Sequence, residues 1–370
     1  MDDANGVVVA GVPTSTLNLI DLSSSDIRRS VSLLKQACLE SGFFYVINHG
    51  VSQDLMEEVF VQSRRFFGLP LSEKMKLLRN EKHRGYTPLF DQVLDPANQI
   101  NGDYKEGYYI GVEVPEDDPR VQKPHFGPNL WPSEDILPRW RQAMEKFHCQ
   151  ALNVAKVVAR IIALALDLEV DFFDKPEILR ESIATLCLLF YEGLVSDPSK
   201  GIHGAGAHSD FGFNTLLATD DICKNKDAKP PTWEYVQPMR GAFIMNLDDM
   251  LEQWSNCIFR SIFNQVIGND QERYSLWPSL SLSLSLSLSL SLSLSLPLLI
   301  KNFEPALNLL KLVGFFVYPN HDCLVECLPT CTSEENLPSK LFPPILCQNF
   351  SSQRYADALV DLNVYSREGA

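Results

Sequence analysis

The sequence predicts an α+β protein in three successive parts. These are an N-terminal α/β region (12–130), a long supporting helix with its connection (131–180), and a double-stranded β-helix, or jelly-roll, core (181–370). Three observations predict this. Trp140 to Leu168 carries Phe147, Ala151, Val154, Val158, Ile161 and Leu164 at helical spacing, the stripe of a long helix with one buried face. From Ala184 onward the pattern turns to short apolar runs separated by turns, which suits two packed sheets. At 370 residues and 45% hydrophobic content, the chain can bury a core of that size.

The N-terminal elements follow in order. Leu17-Asn-Leu-Ile-Asp-Leu22 reads as a strand. Ser25 is placed as the cap of a helix whose apolar face carries Ile27, Val31, Leu34 and Cys38, with Gly42 ending it. Phe43 to Ile47 is a strand closed by Asn48-His-Gly50, where His49 packs in the turn rather than binding a ligand. Ser52 to Phe67 is a second amphipathic helix, and Pro70 opens a short polar one. His83, His125, His148 and His203 belong to no motif and are assigned structural or surface roles. The stripe of the long helix is core, not a cofactor box.

A net charge of −15 argues against nucleic acid or an anionic membrane as a partner. Nine cysteines, an odd number in no regular framework behind a polar Met1-Asp-Asp-Ala start, point to reduced thiols and a cytoplasmic protein. Cys323, Cys327 and Cys331 follow His321, but their spacing is not that of a zinc knuckle, and an apolar strand followed by a Pro loop accounts for them.

The chemistry concentrates in Ala205-Gly-Ala-His-Ser-Asp-Phe-Gly-Phe213. On an extended strand, residues i and i+2 share a face, so His208 and Asp210 can grip one metal ion while Phe211 and Phe213 point into the packed side. An imidazole and a carboxylate joined by a second His form the donor set of non-haem Fe(II) oxygenases. Downstream, Arg273 and Ser275 again share a strand face. A guanidinium fork beside a hydroxyl suits bidentate capture of a carboxylate.

With these pairs in place, the chain resembles the plant-type soluble 2-oxoglutarate/Fe(II)-dependent dioxygenases, the isopenicillin N synthase-like family. Ser41-Gly-Phe-Phe-Tyr-Val-Ile-Asn-His-Gly50 is similar to that family's N-terminal signature and Lys105-Glu-Gly-Tyr-Tyr-Ile110 to its next block. Leu188-Leu-Phe-Tyr-Glu-Gly193, Trp233-Glu-Tyr-Val236, Gly241 to Leu247 and Phe315 to Asn320 resemble its barrel strands. The resemblance implies Fe(II) on His208 and Asp210, and 2-oxoglutarate as cosubstrate held by Arg273, Ser275 and Tyr191. It also implies ascorbate as an admissible auxiliary, a small organic substrate and a monomer. By the same analogy, Phe43 to Gly50 and the stretch from Tyr355 to Ala370 cover the barrel mouth.

The chain departs from the family in four places. Ser279 to Leu296 is unbroken Ser-Leu alternation, too long for a barrel strand and too rich in Ser for a membrane helix. A CT dinucleotide repeat encodes Ser-Leu indefinitely, so 276–312 reads as translated non-coding sequence. Joining Ser275 to Val313 restores a strand running on from Arg-x-Ser. Second, the distal iron His of the family falls at Asn264, in Arg260-Ser-Ile-Phe-Asn-Gln-Val266. Third, Asp248 stands where the family has Gly, a position strained if its turn needs a positive φ. Fourth, the Asp221-Ile-Cys-Lys join is shortened. Two readings follow: an oxygenase impaired by loss of the distal ligand, or an inactive member that at most binds small carboxylic acids.

Overall fold

Three short helices and two strands open the chain in the computed structural model, which describes residues 17–191, 200–219, 223–228, 231–266, 310–332, 343–362 and 364–365. They are β1 (Leu19–Asp21), α1 (Ile27–Glu40), β2 (Phe43–Ile47), α2 (Gln53–Phe67) and α3 (Leu71–Met75). Asp26, not Ser25, caps α1, its carboxylate accepting from the Arg29 amide at 3.1 Å. The inward face of α1 is Ser30, Leu34, Ala37 and Cys38, while Ile27 is 49% exposed. Ser52 caps α2, accepting from the Leu55 amide. Gly42 has φ +67, and a Cβ there would lie 2.7 Å from Ile262 Cγ1, so the α1–β2 turn needs glycine for both reasons.

β3 (Gly85–Thr87) and β4 (Glu106–Gly111) precede α4 (Trp140–Ala165), the long helix. It stops before the expected Leu168 because Asp167 turns left-handed (φ 58), and Leu168 N–H closes back on the Ala163 carbonyl at 2.9 Å. Trp140, Phe147, Val158 and Ile162 are fully buried on its inner face. α4 is apolar and long enough to cross a bilayer by length and composition, yet that face lies against α1, α2 and the sheet.

The remaining strands are β5 (Ile183–Tyr191), β6 (Ala205–His208), β7 (Asn214–Thr219), β8 (Cys223–Ala228), β9 (Pro231–Val236), β10 (Phe243–Leu247), β11 (Asn264–Val266), β12 (Leu310–Tyr318), β13 (Leu324–Val325) and β14 (Ile345–Leu346). α5 (Asp249–Trp254) follows β10, and α6 (Cys347–Ala358) follows β14. The large sheet runs β1-β2-β10-β7-β12-β5-β4-β3 and the small one β6-β11-β8-β9. One face of the large sheet packs under α4. Phe43, Tyr45, Leu189, Ile244 and Leu312 on its other face join Ala205, Val236 and Val266 of the small sheet in a second apolar cluster.

β12 overlaps the end of the expected insertion. The strand begins at Leu310, pairing Leu310 with Tyr191 and Leu312 with both Leu189 and Thr219, so the boundary at Leu312 falls inside a central strand. A strand between two partners must be filled wherever both continue, and Leu312, 3% exposed, fills it. The Ser-Leu tract itself lies outside the described residues.

Of the histidines outside the motifs, His125 and His203 are buried and His83 and His148 half-buried, all in structural roles. His83, His125 and Tyr355 of α6 stack with ring centroids 4.5–5.2 Å apart, and His321 lies 6.0 Å beyond His125. Burial holds His83 and His321 down to about 4 and His125 to about 3, so all three rings are neutral near pH 7. His148 Nε2 meets the Ala184 carbonyl at 3.1 Å, and His203 Nδ1 meets Gln265 Nε2 at 2.6 Å. Cys323 and Cys331 are packed into the main core.

Candidate active site

His208 is the last residue of β6, and the chain leaves the strand immediately after it. The following turn is pinned from two sides. Asp249 N–H donates to the Asp210 carbonyl at 2.9 Å and Met250 N–H to that of Gly212 at 3.0 Å, so the start of α5 holds it. A Cβ on Gly212 would come 2.4 Å from the Val317 carbonyl oxygen, which explains glycine there. The turn keeps His208 and Asp210 together, with Nε2 and Oδ1 at 3.5 Å. It also breaks the alternation expected beyond them. Phe213 is fully buried in the core, but Phe211 turns to the cavity and lies under the Arg354 guanidinium of α6 at 4.0 Å. The expectation that both rings point away from the metal pair is corrected for Phe211.

Each donor is oriented by a neighbour. His208 Nδ1 sits 2.7 Å from the Gly206 carbonyl, which fixes the ring and leaves Nε2 facing Asp210. Asp210 Oδ2 accepts from Asn246 Nδ2 at 2.7 Å. Burial opposes the charge on Asp210, but bonds from His208, Asn246 and Thr215 outweigh it and hold the carboxyl below its usual range. Asn264 opens β11 directly opposite His208 in the antiparallel register and lines the same cavity. Its Nδ2 is buried with no hydrogen-bond partner among the described residues. Two donors and a neighbouring carboxamide therefore fit a divalent cation, with the third position holding an amide instead of an imidazole. A neutral amide oxygen is a harder, weaker donor to Fe(II) than imidazole.

The cavity, about 930 Å³ with its open mouth, lies between the two sheets. Its wall is largely apolar, from Phe43, Leu94, Leu189, Leu217, Ile244, Leu312 and Phe316, with Gln92, Lys105, Tyr109 and Tyr191 among its polar members. Phe43 and Tyr355 both reach it, so β2 and α6 do contribute to its walls. Tyr191 is 4% exposed at the end of β5. Arg273, Ser275 and Asp221 lie outside the described residues, while Cys223 and Lys224 begin β8.

Asn246 and Asp248 were not singled out in the sequence, or not for this role. Their i, i+2 spacing at the end of β10 was the available signal. Asp248 has φ −107, an extended backbone, so no left-handed strain arises from losing glycine. The consequence is electrostatic instead. Its carboxyl is fully buried, bonded to Thr215 Oγ1 at 3.1–3.2 Å and Asn246 Nδ2 at 3.3 Å. Burial first, then the charges of Asp210 and Asp249, push it well above the carboxylate range. Stability from this neutral carboxyl is full below the ordinary carboxylate pKa and is lost as pH rises through the elevated one. Asp248→Asn should therefore raise the Tm by a few degrees at pH 8, on the order of that from one or two kcal/mol, with the gain shrinking toward pH 4. A gain independent of pH would refute this account.

Known proteins agree with the geometry. Residues 17–134 match the family model of the N-terminal region of non-haem dioxygenases in morphine synthesis, and residues 184–277 that of the 2OG-Fe(II) oxygenase superfamily. The kihadalactone A synthase of Citrus sinensis is 42% identical over 98% of both chains. The azadirone synthase of Melia azedarach is 45% identical over 87% of both. Among solved structures, a full-length Neurospora crassa protein crystallised in complex with alpha-KG superposes with TM-score 0.71 at 24% identity, covering 92% of this chain and 96% of that one. An oxygenase family protein from Caulobacter crescentus gives 0.72 at 22%, over 93% and 99%. Those two show the fold. Identity to the two plant synthases over nearly their whole length, with His208, Asp210 and the Asn264 position gathered on one cavity, shows that the chain belongs to the plant-type 2-oxoglutarate- and Fe(II)-dependent dioxygenases.

Proposed function

We propose that the chain is a 2-oxoglutarate/Fe(II) oxygenase for a small, mostly apolar organic molecule, with turnover impaired by Asn264. The observation that carries the impairment is the register of β11, where Asn264 stands opposite His208 with its Nδ2 unpaired among the described residues. His208 and Asp210 would hold the iron. Tyr191, Arg273 and Ser275 would hold 2-oxoglutarate. When bound, iron and 2-oxoglutarate supply oxidative decarboxylation coupled to oxidation of a substrate C–H bond. The protein's part is to orient the two donors through Gly206 and Asn246 and to keep water from an apolar cavity. The names of the two plant relatives, both synthases of individual compounds, support a small organic substrate. Function as a cytoplasmic monomer, without nucleic acid or membrane, belongs to the same proposal.

A second reading, an inactive member that at most binds small acids, is favoured by one observation. Leu310 and Leu312 occupy the β12 positions immediately before Val313, where Arg273 and Ser275 would run if the strand continued directly from them. Anaerobic equilibrium dialysis tests the first reading at its weakest point. The chain should bind Fe(II) at least about 10–100-fold less tightly than its Asn264→His variant, since losing even an outer-shell group costs that much. Equal affinities would overturn the assignment of impairment to Asn264.

A further inference from the structure

A lysine on the wall of an apolar cavity is expensive to bury and needs a reason. Lys105 is 7% exposed and lines the cavity beside an otherwise mostly aliphatic and aromatic surface. Its Nζ donates to Asp103 Oδ2 at 2.6 Å, and Asp103, fully buried, is itself fixed. Asp103 Oδ1 accepts from Gly206 N–H at 3.0 Å and from Gln99 Nε2 at 2.7 Å. Asp103 is therefore tied to the strand whose Gly206 carbonyl orients His208. An ammonium has three N–H donors. Among the described residues, Asp103 is the one acceptor that this ammonium meets, so two donors are left without a protein acceptor beside the cavity that Lys105 lines.

We infer that Lys105 recognises an uncharged oxygen acceptor, a carbonyl or hydroxyl, on an otherwise apolar substrate, an inference that rests on reading this cavity as the substrate pocket. The charge balance selects the class of ligand. Asp103 already neutralises the ammonium, and Asp210 adds a further negative charge to the same cavity. A carboxylate would bring an unbalanced charge into a low-dielectric space, whereas a neutral oxygen satisfies a donor without adding one. Buried and held by Asp103, the ammonium also loses little side-chain freedom on binding. Apolar walls supply affinity for the skeleton, and Lys105 supplies discrimination between skeletons with and without oxygen. A site built to hydrogen-bond rejects the analogue that leaves its donor unpaired.

The test needs neither iron nor turnover, so its failure is separable from failure of the oxygenase reading. The probes are camphor and camphane, which share one bicyclic skeleton with and without the ketone. Binding to the full chain, followed by calorimetric titration, should favour camphor by about 10–100-fold, the range for a hydrogen bond to a charged donor. Lys105→Met should abolish the preference while leaving camphane binding within about 2–3-fold, the usual context scatter of single contacts. Because that variant strands Asp103, the double variant Asp103→Asn/Lys105→Met provides a neutral pair whose folding is checked by circular dichroism. Equal binding of the two probes by the unmodified chain, or no measurable binding of camphor up to its solubility limit, overturns the inference. So does a preference that survives in the folded double variant, which would make the Lys105–Asp103 pair a structural tie alone.

Discussion

Succinate release from 2-oxoglutarate should rise by at least about 10–100-fold when Asn264 is replaced by His in a chain that lacks residues 276–312. The backbone is already in place for this repair, because β11 puts position 264 opposite His208, and Asn264 shares the cavity with Asp210. Asn264 Nδ2 has no hydrogen-bond partner among the described residues, so no bond from that donor is lost in the exchange. An imidazole there completes three protein donors around one point, the set that suits Fe(II). The measurement is succinate formed with and without added organic substrate, at matched iron, in the shortened chain before and after the Asn264→His substitution. Equal rates would remove Asn264 as the lesion. A variant that gains iron but stays silent would move the lesion to the shortened Asp221-Ile-Cys-Lys join.

The second large effect concerns the cosubstrate. Removing 276–312 joins Ser275 to Val313, so Arg273 and Ser275 take the strand positions now held by Leu310 and Leu312. Those positions face Tyr191 on one side of the strand, and Leu189 and Thr219 on its two sides. Two leucines are exchanged for a guanidinium and a hydroxyl two residues apart, on one face of the strand, with the strand length unchanged. A charge-assisted hydrogen bond is worth about 1.5–3 kcal/mol, so 2-oxoglutarate should bind about 10–100-fold more tightly to the shortened chain. Calorimetry with Mn(II) in place of iron measures it. Arg273→Leu in the shortened chain should return the affinity to that of the full one. The loop-entropy gain is small, since each doubling of loop length costs only about 0.6 kcal/mol. Higher soluble yield should come instead from loss of the alternating Leu segment. A shortened chain that melts below the full one would make the segment a structural part.

What the sequence disclosed and what it hid divide along physical lines. Periodicity placed α4, α2 and β2 because apolar spacing registers burial directly. Spacing also brought His208 and Asp210 together, since the pinned turn after β6 preserves their proximity. Strand parity failed one residue later, at Phe211, because the chain had already left the strand, a change set by α5 and Val317 far along the sequence. The end of α4 was missed because Asp167, not glycine, takes the left-handed position. The start of β12 was hidden by its dependence on β5, which continues beside it to Leu310, and on β7, which reaches Leu312. Asn246 and Lys105 sit in segments the sequence does mark, but nothing local to either residue discloses its role. Their roles exist only where separate strands meet.

The position of β12 also sets the order in which the protein can be assembled. β12 is the only link between the half-sheet β1-β2-β10-β7 and the half-sheet β5-β4-β3 among the described strands. During synthesis from the N-terminus, both half-sheets emerge well before Leu310 does, each with an inner edge unpaired. The core sheet closes only when Tyr318 has left the ribosome, after more than a hundred residues have waited since β5. Contacts of that sequence separation form slowly, and an open apolar edge invites pairing with another chain while it waits. Every residue placed between β11 and β12 lengthens the wait, so the Ser-Leu tract acts on this protein through the time its assembly takes.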